Sequence, residues 1–211
     1  MPRIVDSREF AYLYNEVAGL VCNVRYIQTL CSDEKTTSIL NAVASNFFAD
    51  VQCLLMDACV VSVYKLALDK RKDVLTLRTL VDMVVDDTSL HFRLNDSLSH
   101  IESLTEQPNL EQFESIGIDA SQWSYKLIRH KRVAHADEVA AVDFSKDVPH
   151  VSWYDPSANS LFSVVGSIVD FINEIERNDK GGWTDFYRIE ESGGASSLLR
   201  VICSAASLDS E

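Results

Sequence analysis

Glycine and proline, the two residues that interrupt helices, are scarce in this chain. It has 7 Gly and 4 Pro among 211 residues, so long uninterrupted helices are favoured. Its 46% hydrophobic and 24% charged residues are typical of a folded protein and exclude the disordered and fibrous classes. The length suffices for one sizeable core. We predict a single domain over residues 1–211, in which 179–211 is a partly irregular C-terminal extension.

The chain also lacks an obvious cysteine framework. Its five cysteines are odd in number, lie in apolar surroundings and have no C-x-x-C spacing of the kind that suggests zinc or a redox pair. These residues are Cys22, Cys31, Cys53, Cys59 and Cys203. We expect them to be reduced core residues of a cytoplasmic protein.

Neither a signal peptide nor a membrane span is expected. The N-terminal MPRIVDSREF has no apolar core. The most apolar window, residues 53–68, contains Asp57 and Lys65 and is shorter than the roughly 18 apolar residues of a membrane-spanning helix. We therefore predict a buried helix here and no membrane partner.

Apolar residues recur at spacings of three and four along most of the chain, which is the helical pattern. A loop or a short helical turn is expected at 105–118, which is acidic and contains Pro108 and Gly117. Irregular structure is expected at 142–156, which has no sustained period. The predicted helices are 7–31, 34–68, 74–85, 89–104, 119–136, 155–178 and 195–206. The predicted fold is all-α, an irregular bundle of five to seven helices.

Two of these helices carry the most extensive apolar stripes. The stripe of helix 155–178 is wide and comprises Leu161, Val164, Val165, Ile168, Val169, Phe171, Ile172 and Ile175. The stripe of helix 34–68 comprises Ile39, Leu40, Val43, Phe47, Val51, Leu54, Leu55, Ala58 and Val61. We expect such stripes to face the core.

Common catalytic signatures are missing: the chain has no P-loop, no G-x-G-x-x-G, no H-E-x-x-H and no G-x-S-x-G. His91 and His100 lie nine residues apart on one predicted helix, on roughly opposite faces, and we expect surface or satisfied core groups. His150 follows Pro149 in a predicted loop. We predict no metal site and no cofactor.

Positive charge is concentrated in two windows of an acidic chain. The net charge of −13 argues against broad binding to nucleic acid. Residues 65–78 contain five Lys or Arg with two Asp, and residues 126–132 contain four with no acid, so the two windows together carry +7. Each run is either a solvated helix face or, if the two meet in space, part of an anion site.

The second basic window contains an ordered motif. Arg129, the polar His130, four residues and then His135 follow one another in the phrase RHKRVAHAD. This arrangement resembles the HEPN superfamily, and the phrase is similar to that of abortive-infection-type HEPN proteins. The resemblance is sharp over residues 121–137 and architectural elsewhere.

The resemblance implies a metal-independent endoribonuclease of toxin or phage-defence type. It implies that Arg129 holds a phosphate, that His135 carries protons and that His130 orients the pair. These residue types suit the chemistry, since arginine matches phosphate oxygens and histidine titrates near neutral pH. Lys131 and Arg132 share a helix face with His135 and, with Lys126, are candidates to bind RNA phosphates.

The spacing of the motif points to a dimer. Six residues rotate by about 600°, so Arg129 and His135 lie about 120° apart on an ideal helix and do not converge. HEPN proteins generally pair through this helix, so a homodimer through residues 119–136 would place two Arg and two His in one cleft. Asp137 stands where nucleotidylated relatives have Tyr; it either orients His135 or Arg129 or is solvated.

Two further functions fit the same residues. One is a non-catalytic HEPN-like module that binds RNA or a nucleotide, or that serves as the interaction subunit of a defence system with an antitoxin or other partner protein. The other is a helical scaffold whose basic helix pairs with an acidic protein surface. Shallow salt dependence without cleavage would favour the first.

Overall fold

Six α-helices make up the part of the chain that the structure describes. This computed structural model describes residues 3–30, 33–106, 150–186 and 194–208. The helices are α1 (Arg8–Leu30), α2 (Glu34–Val63), α3 (Leu77–Met83), α4 (Thr88–Glu106), α5 (His150–Lys180) and α6 (Ala195–Leu208). A 3-10 turn (Ile4–Asp6) precedes α1, and a π-helical turn (Tyr64–Leu68) extends α2. These ranges contain no strand, and the predicted all-α bundle is confirmed.

Polar side chains cap the N-terminal ends of three helices. Ser7, Asp33 and Asp87 each accept a hydrogen bond from the backbone N–H three residues further on, at 3.1, 2.7 and 3.0 Å. Each bond satisfies one of the N–H groups that have no partner within a helix. The predicted starts of α1, α2 and α4 are confirmed within a residue or two.

The main core is formed by the apolar faces of α1, α4 and α5 together with the second half of α2 and with α3. All eight residues of the predicted α5 stripe are buried, and so are the four α4 residues Leu90, Leu94, Leu98 and Ile101. Burial of each large aliphatic side chain contributes about 1.5–3 kcal/mol to folding. A clean stripe on one face was therefore a reliable guide to the core in these two helices.

The predicted stripe of α2 is wrong in part, because the helix is apolar on two opposite faces. Val43, Phe47, Leu54 and Val61 are exposed, Leu54 by 68%. The residues that reach the main core instead are Met56, Cys59, Val60 and Val63. Val63 follows Leu54 by nine residues, about 900° or half a turn away, so the two side chains point in opposite directions.

The same helix is long and apolar enough to span a membrane. The segment Glu34–Leu68 reaches a mean hydropathy of 1.6 over its most apolar window. Core helices of soluble proteins meet the same criterion, so this composition is weak evidence. In the structure one face of α2 packs along α1.

Helix α5 begins earlier than predicted. Residues 150–156 were expected to be irregular, but the backbone is helical from His150, and Pro156 lies within the helix. Proline in a helix interior removes one backbone hydrogen bond and crowds the carbonyl four residues earlier, so the first turns of α5 form against the local preference of Pro156. The helix ends at Lys180, and Gly181 follows with φ +67°, the left-handed conformation that closes many helices.

Helix α3 is shorter than predicted and starts at a capping box. The side chain of Thr76 accepts the N–H of Thr79, and Thr79 Oγ1 accepts the N–H of Thr76 at 3.1 Å. Because this reciprocal pair fixes the first turn, residues 74–76 lie before the helix.

A second, smaller core lies where α6 packs on α1 and the first part of α2. Its buried residues are Leu30, Leu40, Phe48 and Ala195. The α2 backbone is non-helical at Ala44, with φ −162° and ψ 69°, so the helix bends there without proline or glycine. The predicted final helix is confirmed, and it covers this junction.

The cysteines differ in exposure. Cys59 is buried, and burial raises the pKa of its thiol to about 12. Cys22 and Cys53 are half-buried, whereas Cys203 is exposed, which corrects the expectation of a core position. The chain around Cys203 is helical, but the Cys203 side chain lies on the solvent side of α6. Cys31 lies outside the described residues.

Candidate functional site

The motif predicted to carry the chemistry lies outside the described residues. This applies to the predicted helix 119–136 as a whole. The residues concerned are Arg129, His130 and His135, the phosphate-binding candidates Lys126, Lys131 and Arg132, and Asp137. Their roles therefore stay predictions.

Helices α4 and α5, which flank the motif in the sequence, pack against each other. Arg93, near the start of α4, donates from Nε to Glu174 Oε1 at 2.7 Å, near the end of α5. Arg177 donates to the other oxygen of the same carboxylate at 3.1 Å. The bond between Arg93 and Glu174 joins the first part of α4 to the last part of α5. Residues 107–149, with the motif, connect the end of α4 to the beginning of α5 in the sequence.

The histidines of α4 have ordinary structural roles, as predicted. His91 is half-buried, and its Nδ1 lies 3.2 Å from the carbonyl oxygen of Val81 in α3. His100 is exposed. His150 was predicted to lie in a loop. This prediction was wrong, because His150 is the first residue of α5.

No group of three or more His, Cys, Asp or Glu side chains is placed to hold a metal ion in the described ranges. Three acidic residues that are close in the sequence, Asp82, Asp86 and Asp87, lie just before the start of α4. There Asp86 is exposed and Asp87 caps the helix. These carboxylates thus have a structural explanation.

Lys65, the first cation of the basic window 65–78, connects α2 to α1. Its ammonium group donates to Tyr12 Oη at 2.5 Å and to Glu16 Oε2 at 3.0 Å, and it lies 5.1 Å from the centre of the Tyr12 ring. The hydrogen bond to Tyr12 raises the pKa of Lys65, with a smaller contribution from Glu16. This contact was not foreseen, since its residues are about fifty positions apart in the sequence.

Arg71 and Arg78 are also paired within the protein. Arg71 forms a two-pronged ion pair with Asp69, with Nη2–Oδ2 at 2.7 Å and Nε–Oδ1 at 3.0 Å, and this bonding raises the pKa of the guanidinium. Arg78 donates to Asn95 Oδ1 at 2.6 Å and lies 3.5 Å from Glu102. Three of the five cations therefore have local partners.

The remaining two cations of this window are Lys70 and Lys72. Both are exposed, and neither has a hydrogen bond or an ion pair within the described part of the chain. They lie in the connection between the π-helical turn and α3, so the window is not one helix face. Residues 126–132 lie outside the described ranges, so contact between the two basic windows stays a prediction.

A buried acid near the end of α5 was missed by the sequence analysis. Glu176 is 4% exposed; its Oε2 accepts the N–H of Thr184 at 2.8 Å, and Oε1 lies 3.5 Å from Lys180 Nζ. Asp179 accepts the N–H of Val5 at 3.2 Å. These hydrogen bonds hold the segment before α1 and the segment after α5 to the last turns of α5. Both acids therefore have a structural role.

One comparison decides the family. The model of the HEPN family described as AbiU2 matches residues 7–193, most of the chain. The chain belongs to the AbiU2 family of HEPN proteins. The match includes α1–α5 and the whole Arg129-His130-x4-His135 motif, whereas α6 lies beyond it.

Membership of the AbiU2 family makes this a HEPN-type abortive-infection protein. The resemblance drawn from the phrase RHKRVAHAD is confirmed. No curated protein and no solved structure matches the chain.

Proposed function

We propose that this protein is a metal-independent endoribonuclease that acts in phage defence. The observation that carries the proposal is the position of Arg129, His130 and His135 within the matched AbiU2 range. Cleavage of RNA without a metal requires a proton to leave a 2′-hydroxyl, charge on the phosphate to be stabilised, and the departing 5′-oxygen to be protonated. One arginine and one or two histidines supply these functions.

Each motif residue has a role in this proposal. Arg129 binds the phosphate oxygens through its planar, permanently charged guanidinium. His135 takes and returns the proton, and His130 orients the pair. Lys126, Lys131 and Arg132 hold neighbouring phosphates of the RNA, and their charge favours the neutral imidazole that a general base needs. Asp137 either orients His135 or Arg129 or is solvated.

The active unit in this proposal is a homodimer formed through residues 119–136. Arg129 and His135 are about 120° apart on one helix, so a second copy completes the cleft. Because the substrate is cellular RNA, we place the protein in the cytoplasm, under the control of an antitoxin or another partner of the defence system.

The test is cleavage of a structured RNA by the purified protein in EDTA. Arg129→Ala and His135→Ala should each reduce the rate at least a hundredfold, because a group that stabilises the developing charge contributes about 10²–10³ and a positioned proton carrier about 10²–10⁴. His100→Ala is the matched control: it removes an exposed histidine outside the motif and should leave the rate unchanged. Cleavage that requires a divalent metal, or that persists in both motif variants, would overturn the proposal.

A second candidate is a HEPN module that binds RNA, a nucleotide or a partner protein without cleaving. The observation in its favour is the net charge of −13, together with the internal pairing of three cations in the window 65–78. Efficient ribonucleases generally present a wider positive surface. Binding in low salt without any cleavage product would favour this candidate.

A further inference from the structure

The connection between α2 and α3 has a fixed backbone. The N–H of Asp69 donates to the carbonyl of Tyr64 at 2.9 Å, and Asp69 Oδ1 accepts the N–H of Arg71 at 3.1 Å. At the other end, the capping box of Thr76 begins α3. Asp69 has a side chain that is only 6% exposed, so its ion pair with Arg71 is anchored in the protein.

This connection carries two cations that have no hydrogen bond or ion pair within the described part of the chain. Lys70 and Lys72 flank the anchored Arg71, and both are exposed. Asp73, the next residue, is also exposed and forms no ion pair with either lysine. By contrast, Lys65, Arg71 and Arg78 each pair with a carboxylate of the protein. Lys70 and Lys72 have no partner among the described residues of a chain of net charge −13, so we expect these two cations of the window to be free to bind an anion.

We propose that Lys70 and Lys72 bind the phosphate backbone of the RNA substrate, away from the cleavage motif in the sequence. This inference rests on the proposed ribonuclease function and adds a second contact to the phosphates held by the motif helix. Lysine suits this task because its ammonium group binds phosphate as a point charge without reading the base. A fixed backbone lowers the entropy lost on binding. The contact should therefore strengthen binding of RNA of any sequence.

The test measures RNA binding by fluorescence anisotropy, using a labelled twenty-nucleotide oligouridine in EDTA. All proteins carry His135→Ala so that the probe stays intact. The test variant adds Lys70→Gln and Lys72→Gln. The control variant adds Lys35→Gln and Arg200→Gln, which removes the same charge from exposed residues of α2 and α6. Equal melting temperatures verify that both variants fold.

Counterion release sets the expected size of the effect. Each phosphate contact with a single strand contributes about 0.7 to the slope of log K against log salt. For the test variant, the magnitude of this slope should be smaller than for its parent by about 1.4. The variant should bind RNA on the order of twentyfold more weakly than its parent at 0.1 M salt. The control variant should stay within about threefold of its parent, since it changes only the overall charge.

Three results separate this inference from the proposed function. Equal binding by the test and control variants, while the protein with intact His135 cleaves RNA, overturns the role of Lys70 and Lys72 alone. No binding of RNA and no cleavage by any form overturns both. Tighter binding of polyglutamate than of RNA, abolished by the test variant, overturns the assignment to RNA and identifies an acidic protein surface as the ligand.

Discussion

Phe47 and Phe48 are consecutive residues of α2, and their rings meet edge to face with 5.2 Å between the centroids. Yet Phe47 is 58% exposed, whereas Phe48 is 7% exposed and belongs to the smaller core beneath α6. Neighbouring residues of a helix point about 100° apart, so at this position one ring faces solvent and the next faces the core.

This pair provides a matched test of the α2 orientation. Phe48→Ala should reduce the free energy of unfolding by about 3 kcal/mol, because it empties a buried site. Phe47→Ala should reduce it by about 1 kcal/mol or less, mainly through the lost ring contact. Urea denaturation followed by circular dichroism measures both. If Phe47→Ala proved the more damaging, the helix would have to face the core with its other side.

Glu176 and Glu174 offer a second comparison, on α5. Glu176→Ala should reduce the free energy of unfolding by about 1–3 kcal/mol, since it leaves the N–H of Thr184 without its buried acceptor. Glu174→Ala should reduce it by less than about 1 kcal/mol, because its partners Arg93 and Arg177 are about half exposed to solvent, which screens both ion pairs. Thermal unfolding of the two variants in the same buffer gives the difference. Equal losses would contradict the buried role of Glu176.

Cysteine labelling should follow burial. At pH 8 iodoacetamide should modify Cys203 in the folded protein and spare Cys59, whose pKa of about 12 keeps it a neutral thiol. Mass spectrometry of tryptic peptides reads this out, and protein unfolded in guanidinium should be labelled at both positions. Rapid labelling of Cys59 in the native protein would be inconsistent with its burial.

The same thiol predicts how stability depends on pH. The pKa of Cys59 is raised on folding above its ordinary value of 9.0, so between about pH 9 and 12 the unfolded chain loses this proton first. The wild type should therefore lose stability over that range more steeply than Cys59→Ala does. Parallel curves for the two proteins, measured by urea denaturation, would show that Cys59 titrates normally.

Asp33 should matter as the cap of α2. Asp33→Ala removes the acceptor of the Thr36 N–H and should reduce stability by about 1 kcal/mol, whereas Asp33→Asn should keep most of it. Denaturation midpoints of the two variants provide the measurement. The replacement Lys35→Ala, in the same helical turn, serves as a control that leaves the cap intact.

The sequence predicted the fold well where each helix has one apolar face. In α5 the residues Leu161, Val165 and Ile172 belong to a single stripe, and the whole stripe is buried. The starts of α2 and α4 were also predicted within a residue, at the places where Asp33 and Asp87 cap these helices. These signals are local, so they can be recognised without knowing the neighbouring helices.

Signals that depend on distant partners could not be recognised in this way. In α2 the two apolar faces are equivalent by pattern, and only the positions of α1 and α6 decide which one is buried. Similarly, the sequence does not distinguish the five cations of the basic window from one another. In the structure, Glu16, Asp69 and Glu102 each pair with one of three cations, and Lys70 and Lys72 have no such pair in the described ranges. The family and its motif, by contrast, were recognised from the residues 129–137 themselves.

We expect α6 to open separately from the rest of the bundle. It is held by the few buried residues of the smaller core, which include Leu40 and Phe48 on either side of the bend at Ala44, while α5 lies in the main core. Backbone amides of α6 should therefore exchange with deuterated water through local opening, at a lower free energy than those of α5 require. Detachment of this last helix would uncover the apolar side of α1 and α2 while the rest of the bundle stays folded.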